Sequence, residues 1–304
     1  PGSEKINKIK VVDIGISKDI INKIEPNIKI NNKNQWVKEI NWPKIDDHKY
    51  SRGYSLVVGG SKKMTGASRL AAISAQRAGS GIVALASEKE AEEIYFISLT
   101  SQLVKSYKNI KEYNTIINEP RIDSIVIGPG LDIGNKSILK IKSALKTNKR
   151  IVLDAGAISC FKDKLGILIK ALSGKDAIIT PHEGELKSIL PNLSGSLISK
   201  ALKAAKILDT IVVLKGATTV IASPNNEALV NPAGAKWLST AGSGDVLAGI
   251  IGGLLSNKMK TYYAAAYGVW LHSEAGKYLG AGLIAEDIPK TLTKILKKIE
   301  KTNI

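Results

Sequence analysis

An α/β fold with a mostly parallel central sheet and helices on both faces is what this sequence predicts, on three observations. Short apolar runs recur from residue 54 onward, segments with apolar residues at helical spacing lie between them, and five of the runs end in a tight cluster of Gly, Pro or His. Strands that are apolar on both faces belong in a sheet covered on both sides, and regular alternation of strand with helix makes that sheet parallel. Open sheets of this kind take their ligands beyond the carboxyl ends of their strands.

In chain order the strand candidates are SLVVGG (55–60), GIVALAS (81–87), SIVIGPG (124–130), RIVLDAG (150–156), DAIITPH (176–182) and TIVVLKG (210–216). Helical spacing is clearest in GASRLAAISAQRAG (66–79) and SLISKALKAAKILD (196–209). TTVIASP (218–224) and EALVNPAG (227–234) read as a hairpin-like pair, and three helices follow to the end. Residues 1–45 differ. They are rich in Lys, Asn and Ile, are broken by Pro26, NNKN (31–34) and Pro43, and carry one detached strand-like run, KVVDIGIS (10–17). A linker is expected there, ahead of a domain over residues 46–304, and the opening Pro-Gly-Ser reads as a cloning remnant.

Composition narrows the class. With 304 residues and 44% hydrophobic content the chain can bury a large core. The net charge of +17 raises a nucleic-acid partner, but the lysines are scattered and aromatic residues are only 5%, too few for a stacking platform. A solvated basic surface that attracts small anions is preferred, with no nucleic acid expected. The longest apolar stretch, residues 246–255, is interrupted by glycine and too short to span a bilayer, so no membrane partner is expected. The single Cys160 excludes an intrachain disulfide and suits a reducing compartment, here the cytoplasm.

Each motif admits a structural as well as a functional reading. VVGGSKKMTGAS (57–68) lacks the Gly-Lys-Ser/Thr of a phosphate loop; it is either a ligand loop with Ala67 on its first turn or a plain strand-to-helix connection capped by Thr65 or Ser68. TPHEGEL (180–186) places Glu183 and Glu185 where a helix dipole favours them, whereas His182 sits on the predicted ligand edge. His48 and His272 read as a surface and a packing histidine, and no spacing suggests a zinc site. LKGATT (214–219) puts Lys215 on a glycine turn, either to meet phosphate or as a solvated turn lysine. In STAGSGDVLAGIIGGLL (239–255), Gly242 and Gly244 strip side chains from a helix N-terminus where backbone N–H groups can approach an anion. Capping needs no carboxylate there, since Ser239 or Ser243 can serve; Asp245 is therefore read as a general base beside bound phosphate.

Taken in order, VVGGSKKMTGASRLAA, VIGPGL, IVLDAGAI, TPHEGEL, VVLKGATT and STAGSGDVLAGIIGGLL resemble the ADP/ATP-dependent NAD(P)H-hydrate dehydratases, which are ribokinase-like, over about residues 45–300. Two elements depart from that pattern. The family's Asp-Ala-Asp-Ala-Leu-Asn is DAGAIS (154–159) here, and its nucleotide-side Gly-Asn-Pro-Gly-Leu-Ala-Thr is GAKWLST (234–240), with Lys236 and Trp237 altering that loop. KVVDIGIS resembles the closing strand of the epimerase domain that precedes the dehydratase in bifunctional members. The resemblance implies dehydration of hydrated NADH or NADPH at the expense of ADP or ATP, with Mg²⁺ on the phosphates and no assigned protein ligand. It implies that Lys215, Gly216, Ala217, Thr218, Thr219, Gly242, Ser243 and Gly244 hold the nucleotide, while Ala67, Gly130, His182 and Asp245 meet the hydrated dinucleotide. A homo-oligomer is expected. A vitamin-precursor kinase on the same scaffold is the alternative, and a nucleotide- or nucleic-acid-binding module is the alternative outside enzymes.

Overall fold

The computed structural model describes residue 10 and residues 12–24, 26–232 and 234–301. Strands form where the sequence carries β-branched runs: β1 (Ile28–Ile30), β2 (Tyr54–Val58), β3 (Ile82–Glu88), β4 (Leu103–Tyr107), β5 (Ser124–Ile127), β6 (Arg150–Leu153), β7 (Ala177–Ile179), β8 (Ile211–Leu214), β9 (Thr219–Ala222) and β10 (Ala228–Asn231). They join in one sheet of order β1-β10-β9-β8-β7-β6-β5-β2-β3-β4. Only β9 opposes its neighbours; the remaining pairs are parallel.

Alternation along each strand divides the core into two layers. Leu56, Ile125, Ile127, Leu153, Ile179 and Leu214 face a layer that also holds Ile138, Ile141, Leu168 and Ala201. Val57, Val126, Val152, Ile178 and Val213 face the other, with Ala71, Ala75, Ile250, Ile251, Leu271 and Leu292. A strand buried on both faces is apolar at nearly every position, and the exceptions here, Ser55 and Ser124, bond each other and the Gly252 carbonyl. On the second face the helices Thr65–Arg77 and Ser243–Ser256 lie so close that a Cβ at Gly249 would run into the Ala71 carbonyl, and one at Gly253 into the Ala75 carbonyl. Those glycines are there for helix packing.

The strand order gives the turn clusters their meaning. β8, β7, β6, β5 and β2 are consecutive in the sheet and parallel, so Lys215–Gly216, Thr180–His182, Asp154–Gly156, Gly128–Gly130 and Gly59–Gly60 line one continuous edge.

Residues 1–45 require a correction. Val12–Ser17 form no strand and expose Val12, Ile14 and Ile16, while Val11 and the opening Pro-Gly-Ser lie outside the described residues. Further on, the expected linker is part of the body. β1 pairs in parallel with β10, and Trp36 is fully buried, stacked on Tyr267 with ring centroids 4.2 Å apart. The three-residue strand is exposed on its own side chains, so its pattern carried no burial signal.

Candidate active site

At the end of β6, Asp154 is buried and accepts two hydrogen bonds on Oδ1, from Lys215 Nζ and from Thr180 Oγ1, each at 2.7 Å. The turn behind it is tight. Ala155 takes a left-handed φ of 45°, and a Cβ at Gly128 would collide with the Asp154 carbonyl. Lys215 Nζ also lies 4.0 Å from Glu185 Oε2. Burial alone would lower the Lys215 ammonium, but the Asp154 and Glu185 carboxylates hold it above its ordinary value. Glu185 in turn completes a capping box: its carboxylate accepts from the His182 N–H at 2.9 Å while its own N–H donates to His182 Nδ1 at 3.1 Å. With Nδ1 accepting that bond, Nε2 is the outer nitrogen of the exposed ring.

Opposite this row stands the N-terminus of the helix Ser243–Ser256. Its N-cap, Gly242, has φ 87°, and no side chain caps the helix. Neither Ser239 nor Ser243 serves as the cap. Ser243 Oγ instead bonds His272 Nε2 at 3.0 Å. The first-turn N–H groups of Gly244 and Asp245 lie beyond the reach of intrahelical acceptors. A Cβ at Gly244 would sit 3.3 Å from Lys215 Nζ, so the glycine keeps the lysine's approach open. Gly242 acts differently. A side chain there would strike Leu70 and Ala285, so it serves the left-handed turn and the packing behind it.

Asp245 is half-buried, and its carboxylate makes no hydrogen bond among the described residues. Burial pushes it up from 3.8 to about 6; the Asp154 charge pushes the same way, Lys215 opposes, and Glu185 adds a further upward push. A carboxylate that caps nothing and holds its proton near neutrality is suited to proton transfer.

Beside this cluster lies a cavity of about 610 Å³, whose walls include His182, Lys215, Gly216, Ala217, Thr219, Ser243 and Gly244. These are expected site residues, brought together from three segments. Thr218 and Gly242 sit behind the wall, with Thr219 Oγ1 donating to the Gly216 carbonyl at 3.3 Å to fix the turn. The loop 234–240 closes one side through Gly234, Lys236 and Leu238, and Lys236 lies over the Trp237 ring at 5.2 Å.

Ala67 and Gly130 are not on that cavity. Gly130, with φ 72°, packs on the Met64 carbonyl, where only glycine fits. Neither Thr65 nor Ser68 caps the helix Thr65–Arg77; Ser68 Oγ lies 2.8 Å from the Tyr95 hydroxyl and holds the Gly60 loop. In the two packed helices Ala71 faces Gly249 and Ala75 faces Gly253. One turn earlier on the same two helices stand Ala67 and Asp245, at the same end of the pair.

Three further residues surround Lys215 and the cavity. Asp154 is the buried partner of Lys215, Glu185 faces the same lysine, and His272 lines the cavity rather than merely packing. Burial pushes His272 down to about 4, so its ring is neutral at pH 7. His48 is exposed, its Nδ1 accepting from the Ser51 N–H.

A doubly covered parallel sheet with a lysine, glycine turns and a helix N-terminal aspartate at its carboxyl edge defines a ribokinase-like protein. Within that class the chain belongs to the NAD(P)H-hydrate dehydratase family, whose model matches residues 55–298. It is 32% identical over 269 residues to the ADP-dependent (S)-NAD(P)H-hydrate dehydratase of Neisseria meningitidis, covering 84% of this chain and 89% of that one. It is also 32% identical over 314 residues to a bifunctional NAD(P)H-hydrate repair enzyme of Dictyoglomus turgidum, covering 97% of this chain but spanning only 60% of that enzyme's length. Among solved structures, the ADP/ATP-dependent NAD(P)H-hydrate dehydratase of Bacillus subtilis, co-crystallised with ATP and Mg²⁺, superposes with a TM-score of 0.77 at 25% identity, covering 90% and 99% of the two chains.

Proposed function

We propose that this chain returns hydrated NADH or NADPH to the reduced dinucleotide and consumes ADP or ATP in doing so. The observation that carries the chemistry is Asp245, a half-buried carboxylate with no hydrogen bond among the described residues, raised to about 6 and under the charge of Lys215. In this reading Asp245 takes the proton of the ring hydroxyl as that oxygen attacks the terminal phosphorus of the nucleotide. The N–H groups of Gly244 and Asp245, with the Lys215 ammonium, balance the charge that develops on the phosphoryl oxygens. The C–O bond then breaks with phosphate as leaving group, and loss of a ring proton restores the double bond. AMP or ADP and one phosphate are the other products.

The nucleotide is assigned to the 610 Å³ cavity, with Lys215–Thr219, Ser243 and Gly244 around it. The hydrated ring is assigned to the Ala67, Gly130 and Asp245 side; His182, on the cavity wall, presents its Nε2 at the junction of the two. Mg²⁺ fits as a nucleotide-borne ion. Among the described residues no group of three or more His, Cys, Asp or Glu could cage a metal, and Mg²⁺ characteristically keeps waters while binding phosphate. Its contribution when bound is to neutralise phosphate charge.

Residues 1–45 are assigned to the segment that joins epimerase and dehydratase in bifunctional relatives, a reading supported by the near-complete match to the Dictyoglomus enzyme. The lone Cys160 supports a reducing cytoplasm, and no helix among the described residues is long and apolar enough to cross a membrane. Self-association into a homo-oligomer is kept as an expectation that sedimentation would read.

The test is direct. Protein mixed with hydrated NADH and either ADP or ATP should restore the absorbance of reduced nicotinamide, and omission of nucleotide should abolish the signal. No recovery with either nucleotide overturns the proposal.

A further inference from the structure

The N-terminal segment reaches the wall of the cavity through one side chain. Asn31 follows β1 directly, is buried, and has its backbone N–H bonded to the Val230 carbonyl at 2.9 Å. Its Nδ2 donates twice, to Asn231 Oδ1 at 3.1 Å and to the Ala266 carbonyl at 2.8 Å. Its Oδ1 accepts from Trp36 Nε1 at 3.1 Å, and Trp36 is held by its stack on Tyr267. Every polar atom of the amide is engaged, which fixes its orientation.

Both elements it joins contribute residues to the cavity wall. Asn231, at the end of β10, lines it, and so do Val269, His272 and Ser273 on the helix Thr261–Leu279, within two turns of Ala266. Leu229 of β10 packs in the same apolar layer as Ala265 and Ala266, and at the cavity end of that contact the buried Asn31 amide bridges strand and helix with two hydrogen bonds. Buried polar networks that are fully satisfied fix a unique arrangement.

We infer that Asn31 is a positioning residue for the nucleotide: with Trp36 as its anchor, it clamps the β10 wall to the Thr261–Leu279 wall and sets the width of the cavity. The inference rests on that cavity being the nucleotide site, and it gives the segment ahead of residue 46 a role in nucleotide affinity. The hydrated dinucleotide, on the Ala67 and Gly130 side, is not addressed by the clamp.

Calorimetric titration of ADP and ATP into wild type and Asn31→Ala, paired with steady-state kinetics well below each protein's unfolding temperature, tests it. The variant should bind nucleotide about tenfold more weakly, as loss of two buried hydrogen bonds to a wall implies. Its KM for hydrated NADH and its kcat should stay within about twofold, because the site chemistry is untouched. Should Asn31→Ala fail to fold, Trp36→Phe decides the matter: it keeps an aromatic ring against Tyr267, removes the Nε1 donor together with part of the indole, and should weaken nucleotide binding about threefold with the same selectivity. Equal nucleotide affinity in the folded variant, or KM values for both substrates rising together, would overturn the clamp alone. A wild-type protein that binds neither nucleotide overturns the cavity assignment and the clamp with it.

Discussion

Asp245 shows how one carboxyl group can place stability and activity in opposition. Its folded value, about 6, exceeds its ordinary 3.8, so the folded protein binds that proton more tightly than the unfolded chain does. The stabilisation is complete below about pH 4 and is lost as pH rises through about 6. In the proposed role activity runs the other way, because a general base must be ionised. The acid limb of kcat/KM should fall near pH 6, well above an ordinary aspartate, and a pH–rate profile reads it directly. Asp245→Asn should lower turnover by a factor of ~10² or more, keep nucleotide affinity, and leave the unfolding temperature at pH 8 equal to or above wild type. A near wild-type rate from that variant would reduce Asp245 to a helix residue. At this scale the sequence was legible wherever a residue stood on a glycine turn, as Lys215, His182 and Asp245 do. It was not legible for Asp154, whose bond to Lys215 crosses 61 positions, or for His272, whose place in a helical repeat looks like packing until Ser243 is brought to it from another helix.

Elements position these residues, and their glycines act in two different ways. Gly244 keeps the approach to Lys215 open, while Gly249 and Gly253 let the helices Thr65–Arg77 and Ser243–Ser256 touch backbone to backbone. Gly249→Ala should therefore overpack the pair, costing about 1–3 kcal/mol, and should also push Asp245 away from Ala67, so kcat falls along with the unfolding temperature. Calorimetry with parallel turnover assays would show this; an unchanged unfolding temperature would mean that the helices separate freely. The central strands were readable because burial on both faces leaves an unbroken apolar run. β4 and β1 lie at the two sheet edges, one with mostly half-buried residues and the other with three exposed ones, and a half-polar or three-residue strand has no such signature. The same blindness made residues 28–42 read as linker. Deleting residues 1–45 removes β1 and uncovers Tyr267 where Trp36 covered it, so thermal unfolding should shift down by at least what a buried Trp→Ala costs, about 3–5 kcal/mol. Trimmed protein as stable as the full chain would show that Trp36 contributes nothing to folding.

For the whole molecule, the sheet order turns five scattered turn clusters into one edge, and that edge can be divided. Lys215, Ser243 and Gly244 open on the cavity, while Gly130 and Ala67 lie off it, toward β5 and β2. A ribokinase-like kinase would use the same division to leave phosphate on its product. A dehydratase would use it to make a leaving group, since phosphate departs from carbon where hydroxide does not. Gly244, Lys215 and Asp245 serve either outcome, so the fate of phosphate is the discriminating measurement. With hydrated NADH present, nucleotide consumption should start, and inorganic phosphate should appear one for one with restored NADH. Without it, ADP and ATP should persist over the same period, because the half-buried base has no hydroxyl to deprotonate. Phosphate retained as an ester on a small alcohol, with hydrated NADH ignored, would mean that the Ala67 and Gly130 side receives a kinase acceptor; steady nucleotide hydrolysis without any dinucleotide would mean that water reaches Asp245 as readily as the ring does.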